Sequence, residues 1–420
     1  MEPPQAMKDL LHWEELRKTS WGKGITDNWI NIGMMLFFLV VAGSRYISNT
    51  RTARKAGHDA RFLPAPDFPT ITEQPNFDYA KTEPLQLRTF KPKYHLTMAL
   101  ENLDPSDLIL MDNNYRDRIA YRRRILKEHK DSLSVTEDPR ISAAVREYYT
   151  FLTGTYLPLR YPKMFKLHKT TYEVGEHFLL QNQITGEMWP SFPLDPRVTA
   201  PASLLTTLGK TLDEDILFLL PEEDTPEGEE PKYVLHAYVA CCPSGFNPAH
   251  KIGKRLADIH EPVPGYASKL EGSMDRYFAK LEVGKYVKRT NWSITTGTEL
   301  WAAGDGTNHA HEGDEIEQLT DIDVNKTFLR CERQTLHRLP KSNALVFAFK
   351  TYLYPIAQIR DEGLGPQLAE AIDGLQGGNV PQMHFYKRGA VWGEAVKRYL
   401  RAGGVEETKA GDGEVRRRKA

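Results

Sequence analysis

The chain has little cysteine. Cys241, Cys242 and Cys331 are the only three in 420 residues, and no pair is spaced as CxxC. A disulfide framework, a zinc ribbon and a cysteine-held iron–sulfur cluster are all disfavoured, and the usage suits a reducing compartment. Charge of one sign is lacking too: 55 Lys and Arg face 56 Asp and Glu, for a net charge of −1. That balance argues against a nucleic-acid partner held by a globally basic surface, and against an acidic solvating chain. No GxSxG, Walker A loop, strand-borne GxGxxG or HExxH occurs. A self-contained NTPase, an NAD-dependent Rossmann enzyme and a zincin are thereby disfavoured. No internal repeat is evident.

What is present suffices for a substantial core. Apolar residues make up 40% and charged residues 26%, and the length suits two average domains or one large domain with extensions. The most apolar stretch is Trp29 to Ile47, whose centre, Ile32 to Gly43, carries no charge. About 20 apolar residues span a bilayer, and Trp29 and Tyr46 sit where interfacial aromatics belong. The run predicts a single transmembrane helix over 29–47 in contact with the lipid bilayer; a buried helix is the alternative. Arg45, Arg51, Arg54, Lys55 and Arg61 follow it against one acid, Asp59, whereas acids outnumber bases before it. The positive-inside rule then predicts a single-pass membrane protein with its C-terminal domain cytosolic. In that orientation the sequons Asn291-Trp-Ser and Asn325-Lys-Thr stay unglycosylated.

Residues 1–28 read as an N-terminal segment and 48–90 as a linker punctuated by Pro64, Pro66, Pro69, Pro75 and Pro84. A globular domain is expected over 91–360, C-terminal helices over 361–403, and a disordered tail over 404–420. Asp107–Lys130 and Pro139–Leu152 have helical spacing, with the basic side of the first read as a solvated face. Strands are predicted at Tyr172–Leu180, Tyr233–Cys241, Val283–Ile294, Thr327–Leu336 and Ala344–Leu353. Strands following N-terminal helices point to an α+β fold with an antiparallel sheet.

Three clusters carry ligand-type residues. His309-Ala-His311-Glu312 is similar to the first cupin motif, but its Gly- and Asp-rich surroundings read as a polar loop and no second motif follows. In Lys251-Ile-Gly-Lys-Arg255 and the segment after it, His260 ends a short helix stopped by Pro262 and Pro264. Imidazole there suits either a helix-end contact or an axial haem ligand. In Arg330 to Pro340, strand alternation puts Glu332, Gln334 and Leu336 on one face and Arg333, Thr335 and His337 on the other. Donors for an oxygen-bearing ligand and sheet salt bridges explain that third cluster equally well.

Taken in order, these segments resemble a known family over about residues 94–356. The specific pieces are Ile259-His-Glu-Pro-Val-Pro264, Asn291-Trp292, and Glu332-Arg-Gln-Thr335 with Leu339-Pro340. The chain is similar to the haem-dependent oxidative N-demethylase alpha-subunit-like family. The resemblance implies a PAS-like fold binding haem b as an enzyme, with flanking helices around the antiparallel sheet. It implies oxidative removal of an N-methyl group from an amine substrate, consuming dioxygen and releasing formaldehyde. Electrons are expected from a separate NADPH-dependent flavin and iron–sulfur reductase. By the same resemblance His260 is the expected iron ligand, with His337 in reserve and placed near the surface. Lys254 and Arg255 are expected at the haem propionates, and Asn291, Arg333 and Thr335 along the haem or distal pocket. Glu332 is expected to meet a protonated amine. The alternative function is a PAS-like haem or small-ligand sensor without catalysis.

Overall fold

The computed structural model describes residues 61–402, apart from 173–174, 194–198, 305–307 and 312. In chain order the elements are β1 (Glu101–Asn102), α1 (Tyr115–Glu128), β2 (Leu133–Val135), α2 (Pro139–Thr150), β3 (Phe165–Tyr172), β4 (Gly175–Asn182) and β5 (Met188–Pro190). Then come α3 (Pro201–Thr211), β6 (Asp215–Pro221), β7 (Tyr233–Val239), α4 (Leu256–His260), α5 (Tyr266–Lys269) and α6 (Glu271–Lys280). The remainder is β8 (Tyr286–Thr295), β9 (Phe328–Arg338), β10 (Leu345–Pro355), α7 (Ile356–Asp361), α8 (Gly365–Asp373), α9 (Met383–Tyr386) and α10 (Gly389–Arg401). The chain divides into two units: Met1–Ala60 with His168–Phe178, and Arg61–Leu167 with Leu179–Ala420. Of the first unit, only residues 168–172 and 175–178 lie among the described residues.

The second unit is organised by a seven-stranded sheet in the order β1-β8-β9-β10-β6-β7-β2, antiparallel throughout. Side chains alternate across it, and both faces are covered. One face, carrying Phe218, Ala237, Val239, Val346 and Ala348, buries against Ile141, Tyr148, Leu205 and Leu208 of α2 and α3. The other, carrying Leu219, Leu336 and Val287, meets Leu256, Tyr266, Leu270, Met274 and Phe278 of α4–α6 and their junctions. The helix α2 starts where Asp138 accepts the Arg140 N–H at 2.8 Å and Pro139 takes the first helical position.

Three expectations are corrected here. The fold is a mixed α/β arrangement with an antiparallel sheet and without the predicted N-terminal transmembrane helix as part of it. Among the described residues no helix is long and apolar enough to cross a membrane, and residues 29–47 lie outside them. The Pro-rich stretch is no free linker from Arg61 onward. Leu63 donates its N–H to Gly154 O at 2.7 Å, Phe68 stacks on Phe151 at 3.9 Å, and Arg160 donates to Thr72 O at 2.8 Å. Proline forbids helix and sheet ladders there, but side chains of a neighbouring element satisfy the extended backbone instead. The predicted tail from 404 onward lies outside the described residues.

The third correction concerns the basic side of α1. Arg122 is fully buried, donating to Asp215 Oδ1 at 2.5 Å and to Glu214 O at 2.6 Å, and Arg118 pairs with Asp213 at 2.9 Å. Lys350 from β10 joins them through Asp112 at 2.6 Å. Helical spacing identifies neighbours on α1 but not the carboxylates that β6 brings beneath it.

Glu214 stands apart in that network, because neither carboxylate oxygen has a hydrogen-bond partner among the described residues. Burial pushes its pKa up to about 8, opposed by Arg333 and Lys350. A carboxyl raised in the folded state contributes stability that is complete below its unfolded pKa and lost as pH rises through the folded value. Stability should therefore fall between about pH 4.5 and 8, by about 1.4 kcal/mol per pH unit from this group. Glu214→Gln should flatten that slope and be the more stable protein at pH 8.5. Urea titrations of both proteins at pH 6 and 8.5 check this; parallel pH dependences would show that Glu214 is ionised in the fold.

Candidate functional site

The sheet face toward α4–α6 encloses a cavity of about 530 Å³, within the size range of small-molecule and cofactor pockets. Its floor comes from alternate residues of five strands: Leu235, Leu217, Phe347 and Phe349, Leu336, and Val287. Leu256, Ile259 and His260 of α4, Tyr266 of α5, and Met274 and Phe278 of α6 form the roof. Tyr94, Met383, Tyr386 and Lys387 close one end. Gly378 permits that closure: a Cβ there would lie 1.7 Å from Tyr94 O, so only glycine lets the 374–378 turn pass this close.

His260 lines the roof. Its Nδ1 donates to Leu256 O at 2.8 Å, and its ring stacks on Tyr266 at 4.8 Å and 11°. A carbonyl can only accept, so Nδ1 carries the proton and Nε2 keeps its lone pair. Burial, reinforced by Lys251 and Arg289, pulls the imidazole pKa down to about 4, although the Leu256 bond opposes the shift. The ring is therefore neutral near pH 7, the form that ligates a metal. The helix-end contact and the ligand reading are thus compatible, one for each ring nitrogen.

His309 reaches the same cavity from the 300–311 loop. It stacks on Tyr386 at 4.4 Å, and burial first and Lys387 second pull its pKa down to about 3. Gly245, at φ +74°, makes room for it, since a Cβ would come within 2.8 Å of the imidazole. His311 also lines the cavity. Among the described residues no three His, Cys, Asp or Glu side chains cluster as a metal site.

The polar end is built by β8 and β9. Cross-strand neighbours Asn291 and Glu332, and Arg289 and Gln334, all line the cavity. Gln334 Nε2 donates to Glu332 Oε2 at 2.9 Å, while Lys387 Nζ donates to Asn291 Oδ1 at 3.1 Å and to Trp292 O. The Lys387 ammonium lies 5.6 Å from the Tyr94 ring centre and 5.4 Å from that of Trp292. Its pKa is pulled down to about 8 by burial, with Glu332 opposing.

The structure thus brings His260, Asn291 and Glu332 together and separates the others. Arg333 points to the opposite face, donating to Asp107 O at 2.6 Å and Leu108 O at 3.3 Å. Thr335 borders the cavity, but its hydroxyl turns back to Ala348 O at 3.5 Å. Lys254 and Arg255 are exposed and off the cavity, with Arg255 paired to Glu222. His337, expected near the surface, is 0% exposed, stacked on Tyr286 at 4.6 Å within the helical layer, and neither ring nitrogen has a hydrogen-bond partner among the described residues. Strand alternation separates these residues from Glu332, so a motif contiguous in sequence serves two faces of the sheet. Lys387 and Arg289 carry no local motif that would have marked them. The 383–387 turn reaches the cavity only through its contacts with Tyr94 and β8.

Residues 99–397 match a family model, described as haem-dependent oxidative N-demethylase, alpha subunit-like. The chain belongs to that family. The family is named for haem dependence and for oxidative chemistry, so the cavity can be tested against that group. A neutral imidazole whose Nδ1 is tied to a carbonyl, apolar walls, and a cationic side chain at the polar end are the chemistry a haem site needs. The residues present fit it. In this chain the imidazole that fits is on α4 and the cations that fit are on β8 and at Lys387, whereas Lys254 and Arg255 lie off the cavity.

Proposed function

We propose that this chain is a haem-dependent oxidase acting on the N-methyl group of an amine, with the cavity between the sheet and α4–α6 as its haem site. The observation that carries the reading is His260, held neutral in an apolar cavity with Nδ1 committed to Leu256 O and Nε2 available. The strand order β7-β6-β10-β9-β8, with α4–α6 inserted between β7 and β8 on one face, supports the PAS-like reading of the central sheet. Haem b, when bound, supplies reductive activation of dioxygen. The balance of the reaction requires one oxygen atom to leave in formaldehyde and the other in water, with two electrons and two protons entering. A separate NADPH-dependent flavin and iron–sulfur reductase is the proposed electron source.

The chain's own residues supply position and charge. His260 would hold the haem iron. Phe347, Phe349 and Leu336 exclude water from the floor, which strengthens every polar contact at the other end. Glu332 is the carboxylate toward which a substrate ammonium orients, and Lys387 holds a proton at Nζ beside it. Asn291 fixes the Lys387 ammonium by accepting its N–H at Oδ1, at 3.1 Å. The test is the visible spectrum of the full chain produced with a haem precursor, recorded before and after dithionite and carbon monoxide. A Soret band that shifts on reduction and again with carbon monoxide is expected. A protein that stays colourless through a haem titration would overturn the proposal.

A further inference from the structure

One cationic side chain of the cavity has no hydrogen bond or salt bridge among the described residues and meets only the longer-range electrostatics of Tyr94 and Glu332. Arg289, on the cavity face of β8, is part-buried, and its Nε is sealed from solvent without a hydrogen-bond partner among the described residues. No salt bridge there includes its guanidinium, although Glu332 lies two positions along the facing strand from its partner Gln334. Gln334 occupies Glu332 through the 2.9 Å amide contact instead. Among the described residues lining the cavity Glu332 is also the only carboxylate, whereas Lys251, Lys288, Arg289, Arg330 and Lys387 all border it. The other cations are engaged. Arg330 donates to Cys242 O at 2.7 Å, Lys251 to Ile259 O at 2.8 Å, and Lys387 to Asn291 and Trp292, while Lys288 pairs with Glu101 at 3.9 Å.

A desolvated guanidinium without a partner is strongly unfavourable, and a ligand carrying the opposite charge removes that cost. The planar fork of arginine matches a carboxylate with two parallel N–H···O bonds. We infer that Arg289 is the carboxylate anchor of this cavity, binding an acid group on the molecule that occupies it. The inference rests on the haem reading. Two occupants bring such a group: the propionates of haem, or an N-methylated amine that also bears a carboxylate. Either way the anchor lies on the central sheet, on a strand with partners on both sides, and not on the exposed Lys254–Arg255 turn.

The test compares wild type, Arg289→Lys and Arg289→Gln in absorbance titrations with iron protoporphyrin IX and with its dimethyl ester, which lacks the acids. Arg289→Gln is expected to weaken the diacid roughly 10- to 100-fold, as loss of a charge-assisted pair does, and to leave the ester unchanged. Arg289→Lys should recover part of the loss. That pattern assigns the propionates. Unchanged affinity for both porphyrins, with loss of the N-methylglycine-induced Soret change in Arg289→Gln, assigns a substrate carboxylate. Equal porphyrin affinities and equal N-methylglycine responses in all three proteins overturn the inference while leaving the haem site standing. Should wild type itself bind neither porphyrin, the haem reading fails. Thermal shifts of the three proteins with N-methylglycine then decide the anchor alone: a shift confined to wild type and Arg289→Lys supports it, and equal or absent shifts overturn it.

Discussion

His260→Ala is expected to lose haem coordination while remaining folded. The side chain makes one hydrogen bond, to a carbonyl of its own helix, and one stacking contact, to Tyr266. Its removal costs little packing elsewhere. Loss of an outer-shell partner of a metal ligand costs 10- to 100-fold in affinity, and loss of the ligand itself should cost at least as much. The haem titration of His260→Ala should therefore show at least about a 100-fold weaker association and a changed Soret position. Imidazole added to His260→Gly should restore the wild-type spectrum, which a merely structural role for the residue would not allow. His309→Ala, made beside it, should keep the iron coordinated. The reverse result, with His260→Ala spectrally normal and His309→Ala colourless, would transfer the ligand to the 300–311 loop.

The second large effect is on stability and lies at the start of β6, beneath α1. Asp215 accepts the Arg122 guanidinium at 2.5 Å and the Cys241 N–H at 2.8 Å through Oδ1, and the Cys242 N–H at 2.8 Å through Oδ2. Both partners of the ion pair are about 1% exposed. Breaking a buried pair by deleting one member leaves the other charge desolvated, at a cost of about 3–5 kcal/mol. Asp215→Ala also strands two buried amides, so its cost should lie at or above the upper end of that range. Asp215→Asn should be intermediate, because the amide oxygen still accepts one N–H. Urea unfolding at neutral pH measures all three proteins, and a loss below about 1 kcal/mol for Asp215→Ala would show that the network relaxes around the gap. The same variant should loosen the cavity wall. Cys241 and Cys242 lead directly into Ser244 and Gly245 of the cavity wall, where Gly245 makes room for His309.

Much of the sheet was legible in the residues. The alternation in β8, β9 and β10 assigned their strands to within a few positions, and the faces of Glu332, Gln334 and Leu336 against Arg333, Thr335 and His337 were read correctly, because side-chain period in a strand is two whatever the tertiary context. Leu256–His260 was placed without error from the prolines beyond it. By contrast β6 was missed. Ile216 to Leu220 is an unbroken apolar run, as befits a strand with neighbours and packing on both sides, and periodicity has nothing to register there. α3 was missed as well, although Pro201 at its first position and the spacing of Leu204, Leu205 and Leu208 mark it in retrospect.

The site divides along a similar line. The amino-acid sequence by itself determined the family, the antiparallel strands, and three residues of the cavity, His260, Asn291 and Glu332, since each sits in a local pattern. Only the tertiary structure decided which of the two β9 faces carries the cavity, that Lys254 and Arg255 face solvent, and that Lys387, His309 and Arg289 converge on the cavity. Those decisions depend on which face of the sheet a helix covers and which distant turn closes its end. Such contacts join residues nearly 300 positions apart, as where Tyr94 meets Lys387, and no local spacing encodes them.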